Sequence, residues 1–578
     1  MCGVLGSAGI TRGLDLSVIA HRGPDGDGLA VIGQEGVVLG HTRLAINDLS
    51  DAGRQPMVDH EMGLAVSYNG EIYNYPQLRA RLERLGYRFT STMDGEVILP
   101  LYREHGIDFL SELNGIYSIA IADSNSGELW LARDRMGVKP MFWSATEGAI
   151  VFGSEPEAVR QHAGLPAKTS PEALAQYLTF LWVPAPNTGY AGVSNLRPSE
   201  VLRWTREHGV QLRDAPHALD RPSDLVQPAV AEVDDRVGDL LGAAVGRQLL
   251  ADVPIGIMAS GGVDSSLVWQ HASASVTHSF TTVVEDDGEE GLGHDAAAAQ
   301  SLAARWGTQH VPIPVAPRAD PFRPRSGDLL ADPSFRLAYE IAARARSLGM
   351  KVLLSGQGAD EVFGGYRRHQ AAYWLEHLPS AFGRYIPSSL ERLAARSVRG
   401  EYLHRLTKAA SERDPFLRAM QLMSYTDAEE RAMLLGADVG DVDDDVVYSE
   451  HRRVWEQMPD TWGLTKRVMQ LDLEVYMPGL NLAVTDRATM AAGVETRVPF
   501  LDDELVNYAL ALHPRVLLSA RDRKKPLQRL AAATLPESVW NRPKAGFGVP
   551  VTSLPSAGRR QLRMAKFATL CLQDGAPL

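Results

Sequence analysis

Cysteine occurs twice in this 578-residue chain, and one copy is the second residue, Cys2. A small residue in that place permits removal of Met1, which would leave Cys2 carrying a thiol and a free α-amine. A thiol of ordinary pKa, about 8.5, is mostly protonated at neutral pH and needs help to attack. An α-amine of pKa about 8 is a base poised to take that proton. One residue then supplies both nucleophile and general base. The other cysteine, Cys571, is too remote in sequence for the pair to suggest a disulfide framework.

A second chemistry is written in Ser260-Gly261-Gly262-Val263-Asp264-Ser265-Ser266, between an apolar strand pattern and a helical one. Glycines let backbone approach an anion, and N–H groups with hydroxyls at a helix start bind it. No Gly-Lys-Ser/Thr follows, so this is not a P-loop. A matching segment, Ser355-Gly356-Gln357-Gly358-Ala359-Asp360-Glu361, follows another apolar strand. Alone, Asp360-Glu361 reads as an acidic pair that a helix N-terminus favours; beside the Ser260 loop it reads as part of an anion site.

Further blocks surround Cys2 in order: His21-Arg22-Gly23-Pro24-Asp25, Arg43-Leu44-Ala45-Ile46-Asn47, Tyr68-Asn69-Gly70-Glu71 and Met93-Asp94-Gly95-Glu96. Together they resemble the class II glutamine amidotransferases. The resemblance implies an amino-terminal nucleophile (Ntn) hydrolase domain in which Arg43 holds the glutamine α-carboxylate, a role suited to a guanidinium fork. It implies that Asp94 and Glu71 hold the α-ammonium, with Leu44, Ala45, Ile46 and Asn47 lining the pocket. Asn69 and the Gly70 N–H would form the oxyanion hole. Asn69-Gly70 is also a strong signal for a type I′ hairpin turn, and a turn exposes such donors.

The Ser260 loop resembles the pyrophosphate-binding loop of the ATP pyrophosphatases, and the Ser355 segment is similar to a segment of the asparagine synthetases. That resemblance implies an ATP site lined by Met258, Ser260, Gly261, Gly262, Asp264, Ser265, Ser355, Gly356 and Gln357. Asp264 and Asp360 would hold Mg²⁺, a hard cation that prefers carboxylate and phosphate oxygens. Lys525, in Lys525-Pro526-Leu527-Gln528-Arg529, aligns with a lysine that neutralises an adenylated intermediate. Asp486-Arg487 and Glu495-Thr496-Arg497 also match family blocks, as structural residues beside the ammonia route.

The chemistry implied is glutamine cleavage at Cys2, passage of ammonia through a closed route, and amidation of a carboxylate activated with ATP. Aspartate is the favoured acid. Another carboxylate, of a peptide, polyketide or specialised metabolite, stays open, as does a non-catalytic protein that binds glutamine and nucleotide. Three departures bear on the acceptor. Gln357 stands where many asparagine synthetases have glutamate, Leu482-Ala483-Val484-Thr485 lacks a lysine common before the Asp-Arg pair, and this chain ends soon after Phe547, where relatives usually continue through further helices.

These residues need scaffolds of two kinds. Short alternating segments at Val37 to Leu39, Gly63 to Ser67, Tyr117 to Ala122, Glu128 to Ala132 and Ala149 to Phe152 predict antiparallel strands. Helical spacing at Tyr75 to Leu85 and Asp94 to Glu104 makes the amino-terminal part, residues 1–212, an α+β layer structure. Arg206 to Val230 is polar and proline-containing and reads as a linker. Then come a helix at Val233 to Leu250, strands at Ile255 to Ala259, Ser279 to Val284 and Lys351 to Leu354, and a helix at Tyr339 to Leu348. This alternation predicts an α/β parallel sheet over residues 228–560, helical after Gly364. Asp438 to Asp445 reads as a solvated acidic loop.

Composition sets the outer limits. At 578 residues the chain exceeds what one core supports. A net charge of −13 argues against nucleic acid, which demands a basic surface. No apolar run reaches the roughly 20 residues of a membrane span, and no signal-peptide pattern opens the chain. A cytoplasmic enzyme is expected, and the resemblance allows a homodimer.

Overall fold

A computed structural model describes residues 2–10, 13–33, 36–216, 219–284, 292–315, 328–377, 398–541 and 560–573. Phe547 therefore lies outside the described residues.

The strands in chain order are β1 (Gly3–Ala8), β2 (Gly26–Ile32), β3 (Val37–Arg43), β4 (Met57–Asp59), β5 (Leu64–Ile72), β6 (Gly115–Asp123), β7 (Glu128–Arg133), β8 (Phe142–Thr146), β9 (Ala149–Gly153), β10 (Ser194–Asn195), β11 (Glu200–Thr205) and β12 (Gly209–Asp214). They form two antiparallel sheets of order β10-β8-β9-β1-β3-β2 and β12-β11-β7-β6-β5-β4. Pleating explains how the sheets stack, because successive side chains face opposite ways. Val4 joins Leu39, Ala120, Leu131, Phe152 and Trp204 between the sheets, while its neighbour Leu5 packs outward on Leu16, Ile19 and Ala158. The second sheet's outer face receives Leu78, Leu82, Ile98 and Leu101 from two short helices. The result is two sheets face to face between helical layers.

The later strands are β13 (Ile255–Met258), β14 (Val276–Val284), β15 (Gln309–Val315), β16 (Val352–Leu354) and β17 (Glu495–Arg497). They pair in parallel in the order β15-β14-β13-β16-β17. Helices Val230–Gln248, Val263–Ala272 and Lys525–Thr534 share one core with this sheet, and Ser334–Ser347 packs on Phe280 and Leu353. The chain winds outward one way from β13 and the other way from β16. Ligands of such sheets bind at that switch point, outside the strands' carboxyl ends. Both Ser/Gly loops leave the sheet there.

Several expectations need correction. Asn69-Gly70 makes no hairpin turn; both residues lie within β5, opposite Ser118 and Tyr117. Residues 206–230 are not all linker, since β12 pairs with β11 as a polar edge strand, and polar edges discourage unwanted pairing. Asp94 to Glu104 splits into a tight turn of helix at Asp94–Val97 and a helix Ile98–His105. Asp438 to Asp445 contributes to two short helices, Ala437–Gly440 and Asp444–Val447, the second capped by Asp443. β15 was hidden by Pro312 and Pro314, which a sheet edge tolerates and which here take exposed positions. A helix at Arg560–Gln573 follows Phe547.

Candidate functional site

Cys2 is almost fully buried at the start of β1, and its backbone N–H donates to Asn69 Oδ1 at 2.9 Å. That bond fixes the Asn69 amide, so its Nδ2 faces another way, buried and without a hydrogen-bond partner. An unsatisfied buried donor costs free energy unless something uses it. Burial pushes the Cys2 thiol up from its ordinary value. The next residue, Gly70, has φ +156°, and a Cβ there would lie 2.0 Å from the Ile116 carbonyl oxygen. Only glycine lets β5 and β6 approach this closely here.

The other residues of this half gather nearby. Glu71 is buried and accepts from Asn47 Nδ2 at 2.5 Å. Asp94 accepts from the Ile72 N–H at 2.7 Å and from the Tyr68 hydroxyl. Burial raises the pKa of Glu71 and of Asp94, with the Arg497 charge opposing the shift for Glu71 and the hydrogen bonds opposing it for Asp94. Arg43 donates to the Ser50 carbonyl at 2.7 Å and to that of Asp48, and borders a cavity of about 220 Å³ with Asp25, Arg54 and Lys351. Leu44, Ala45 and Ile46 are buried in the adjoining loop.

In the second half the two loops touch. A Cβ on Gly356 would lie 2.6 Å from the Ser265 backbone nitrogen, so the Ser355 loop rests on the start of the helix Val263–Ala272. Ser260 Oγ lies 3.1 Å from Ser265 Oγ and accepts from the Gly262 N–H at 3.3 Å; Met258 ends β13 just before. Gly261 takes φ +63°, a left-handed turn. Gln357 Nε2 donates to Thr485 Oγ1 at 2.7 Å, leaving its buried Oε1 without a partner.

Lys525 is not the lysine at this site. Its ammonium turns away and donates to the Arg515 carbonyl at 2.7 Å. The adjacent Lys524 points inward instead, with Nζ 2.6 Å from Asp264 Oδ1 and 3.1 Å from Asp360 Oδ1. Lys524 has φ +50° just before the helix Lys525–Thr534, and that backbone twist separates the directions of the two side chains. Burial opposes the Lys524 charge, yet the two carboxylates raise its pKa above the ordinary lysine value. The sequence match began at Lys525 and left Lys524 out; no spacing signal in the chain pointed to the residue before it.

Charged pairs join the two halves. Arg22 pairs with Asp486 at 2.9 Å and donates to the Cys2 carbonyl at 3.3 Å. Arg497 reaches Glu71 at 3.1 Å. A cavity of about 50 Å³ lies between the halves, bordered by Arg133, Asp486 and Arg487.

Two sequence families cover most of the chain. The glutamine amidotransferase domain family matches residues 1–214, and the asparagine synthase family matches residues 236–572. Asparagine synthetase [glutamine-hydrolyzing] 1 of Bacillus subtilis is 28% identical over 543 residues, covering 92% of this chain and 83% of its own. A Mycobacterium tuberculosis protein provisionally named for the same activity is 30% identical over 606 residues, covering 96% of this chain and 89% of its own. Asparagine synthetase 3 of B. subtilis is 27% identical over 92% of this chain and 82% of its own. A glutamine amidotransferase half and a synthetase half on one chain make this a glutamine-dependent carbon–nitrogen ligase. The chain belongs to the asparagine synthase family. No helix among the described residues is long and apolar enough to cross a membrane.

Proposed function

We propose that this enzyme makes asparagine, cleaving glutamine at Cys2 and passing the ammonia to an aspartyl adenylate formed with ATP. Supporting this reading most directly is the meeting of Asp264, Asp360 and Lys524 at the switch point of a parallel sheet, on a chain whose Cys2 is held by Asn69.

With Met1 removed, the Cys2 amine takes the thiol proton and Sγ attacks the glutamine amide carbon. Asn69 Oδ1 orients that amine, and Asn69 Nδ2 with the Gly70 N–H receives the oxyanion. Arg43 holds the α-carboxylate, and Glu71 and Asp94 the α-ammonium. Ammonia leaves, and water then frees glutamate from the thioester. This half is an Ntn hydrolase domain, and its two stacked antiparallel sheets support that assignment.

The second half is an ATP-pyrophosphatase domain. Ser260, Gly261, Gly262, Ser265, Ser355 and Gly356 cradle the nucleotide, beside Met258 and Gln357. Asp264 and Asp360 share one ammonium and are therefore close enough to share a divalent cation, with the hard oxygen donors Mg²⁺ prefers. Bound there, Mg²⁺ would neutralise pyrophosphate charge. A carboxylate oxygen of the acceptor attacks the α-phosphorus and pyrophosphate leaves, Lys524 offsetting the charge. Ammonia then adds to the acyl carbon, AMP departs, and one proton is released.

Aspartate is supported as acceptor by relatives named for asparagine synthesis across nearly the whole chain. A second reading keeps the mechanism with another carboxylic acid, and the neutral Gln357–Thr485 pair favours it. The test is AMP and pyrophosphate release with glutamine, ATP and Mg²⁺, aspartate being compared with a panel of other acids. Release that needs aspartate supports the first reading; release with another acid while aspartate is inert supports the second. Cytoplasmic location and a homodimer complete the proposal.

A further inference from the structure

We propose that Arg497 is a positioning residue that ties glutamine cleavage to the state of the nucleotide loop. The inference rests on the reading above, in which β5 carries the oxyanion donors and the Ser355 loop binds ATP.

Arg497 ends β17 and is fully buried. Its main chain serves the nucleotide side, where its carbonyl accepts from the Ser355 N–H at 2.9 Å. Ser355 Oγ in turn accepts from the Gln357 N–H at 3.3 Å, and Gly356 rests against the backbone of Asp264 and Ser265. Its side chain serves the glutamine side. One guanidinium nitrogen, Nη2, lies 3.1 Å from Glu71 Oε1. Nη1 donates to the Gln248 and Leu250 carbonyls at 2.8 and 2.7 Å, and Nε donates to Glu495 at 2.6 Å.

Hydrogen bonds at Nε and Nη1 set the plane of the fork, and that plane holds Nη2 beside Glu71 as an ion pair without a hydrogen bond. A displacement of the Arg497 backbone therefore arrives at the Glu71 carboxylate. Glu71 sits two residues from Asn69 on β5, and its other oxygen holds Asn47. Nucleotide binding that draws on the Ser355 N–H thus moves the group that fixes the strand carrying the oxyanion donors. A lysine at 497 keeps the charge but lacks the fork, so it cannot hold the Gln248, Leu250 and Glu71 oxygens together.

The test uses full-length wild type and Arg497→Lys. Glutaminase kcat and KM are measured with glutamine alone and with ATP, Mg²⁺ and aspartate added, and ammonium-dependent AMP release is measured beside them. Wild type should change its glutaminase kcat/KM by about fivefold or more when the synthetase ligands bind, the range of ordinary site coupling. Arg497→Lys should bring that ratio near one while keeping ammonium-dependent release, because the main-chain bond to Ser355 survives. A ratio of one in wild type, or a wild-type ratio in the variant, overturns the proposal. Should the variant fail to fold, hydrogen exchange in wild type decides. Protection of residues 68–72 should change when a non-hydrolysable ATP analogue binds, and an unchanged segment overturns the coupling. Wild-type glutamine hydrolysis without ATP reports separately on the underlying reading.

Discussion

The Lys524 ammonium contacts both carboxylate oxygens of Asp264, at 2.6 and 2.7 Å, and no other arrangement in the second half gathers charge so tightly around a single lysine among the described residues. Lys525, one residue on, donates to a main-chain carbonyl instead. Lys524→Ala should lower aspartate- and ammonium-dependent AMP release by about 100-fold or more, the usual cost of losing a group aimed at developing charge. Lys525→Ala should stay within a few-fold of wild type. Glutaminase activity should persist in both, which separates a site effect from misfolding.

Cys2→Ala should abolish glutamine-dependent amidation while added ammonium still supports it. The thiol lies in the amino-terminal sheets, and both nucleotide loops leave a different sheet. The two nitrogen donors, assayed on one preparation, check this. Glutamine still serving as donor in the variant contradicts the nucleophile assignment.

Asn69→Ala removes both the acceptor that holds the Cys2 amine and the free Nδ2 donor. Glutaminase kcat should fall about 100- to 1000-fold, as for loss of one oxyanion donor elsewhere. Glutamine KM should move much less, because Arg43, Glu71 and Asp94 remain. A rise in KM with kcat intact would assign Asn69 to substrate binding instead.

How much of this was legible in the sequence differs between the halves. Cys2, Asn69, Gly70, Glu71 and Asp94 could be singled out because each falls in a contiguous block, and the structure places Asn69 against the Cys2 main chain. The surroundings of Asn69-Gly70 were misread, since the same dipeptide suits a tight turn and a crowded strand. β17 and β15 escaped notice for a physical reason. Three residues carry too short an alternation, and prolines hide a strand that only an edge permits. Arg497 and Arg22 look like ordinary charges in one dimension; their partners Glu71 and Asp486 lie hundreds of residues away.

Lys466 gives a stability prediction with a definite sign. It is buried, donates to the Leu510 carbonyl at 2.6 Å, and burial lowers its pKa from 10.5 to about 7. Between those values the folded chain holds fewer protons than the unfolded one, so this group makes stability rise as pH rises. The contribution is about 1.4 kcal/mol per pH unit across that window. In denaturant melts at pH 7, 8 and 9, the stability of wild type relative to Lys466→Met should therefore rise steadily with pH. Parallel curves would show that the amine stays charged in the folded protein.

Tracing the glutamine amide nitrogen separates coupled transfer from simple hydrolysis. With glutamine labelled at its amide with ¹⁵N, together with ATP, Mg²⁺ and aspartate, the product should be asparagine carrying the label in its side-chain amide, with one AMP formed per labelled molecule. Label found only in free ammonium, with AMP release indifferent to aspartate, would show that the enzyme does not make asparagine from glutamine.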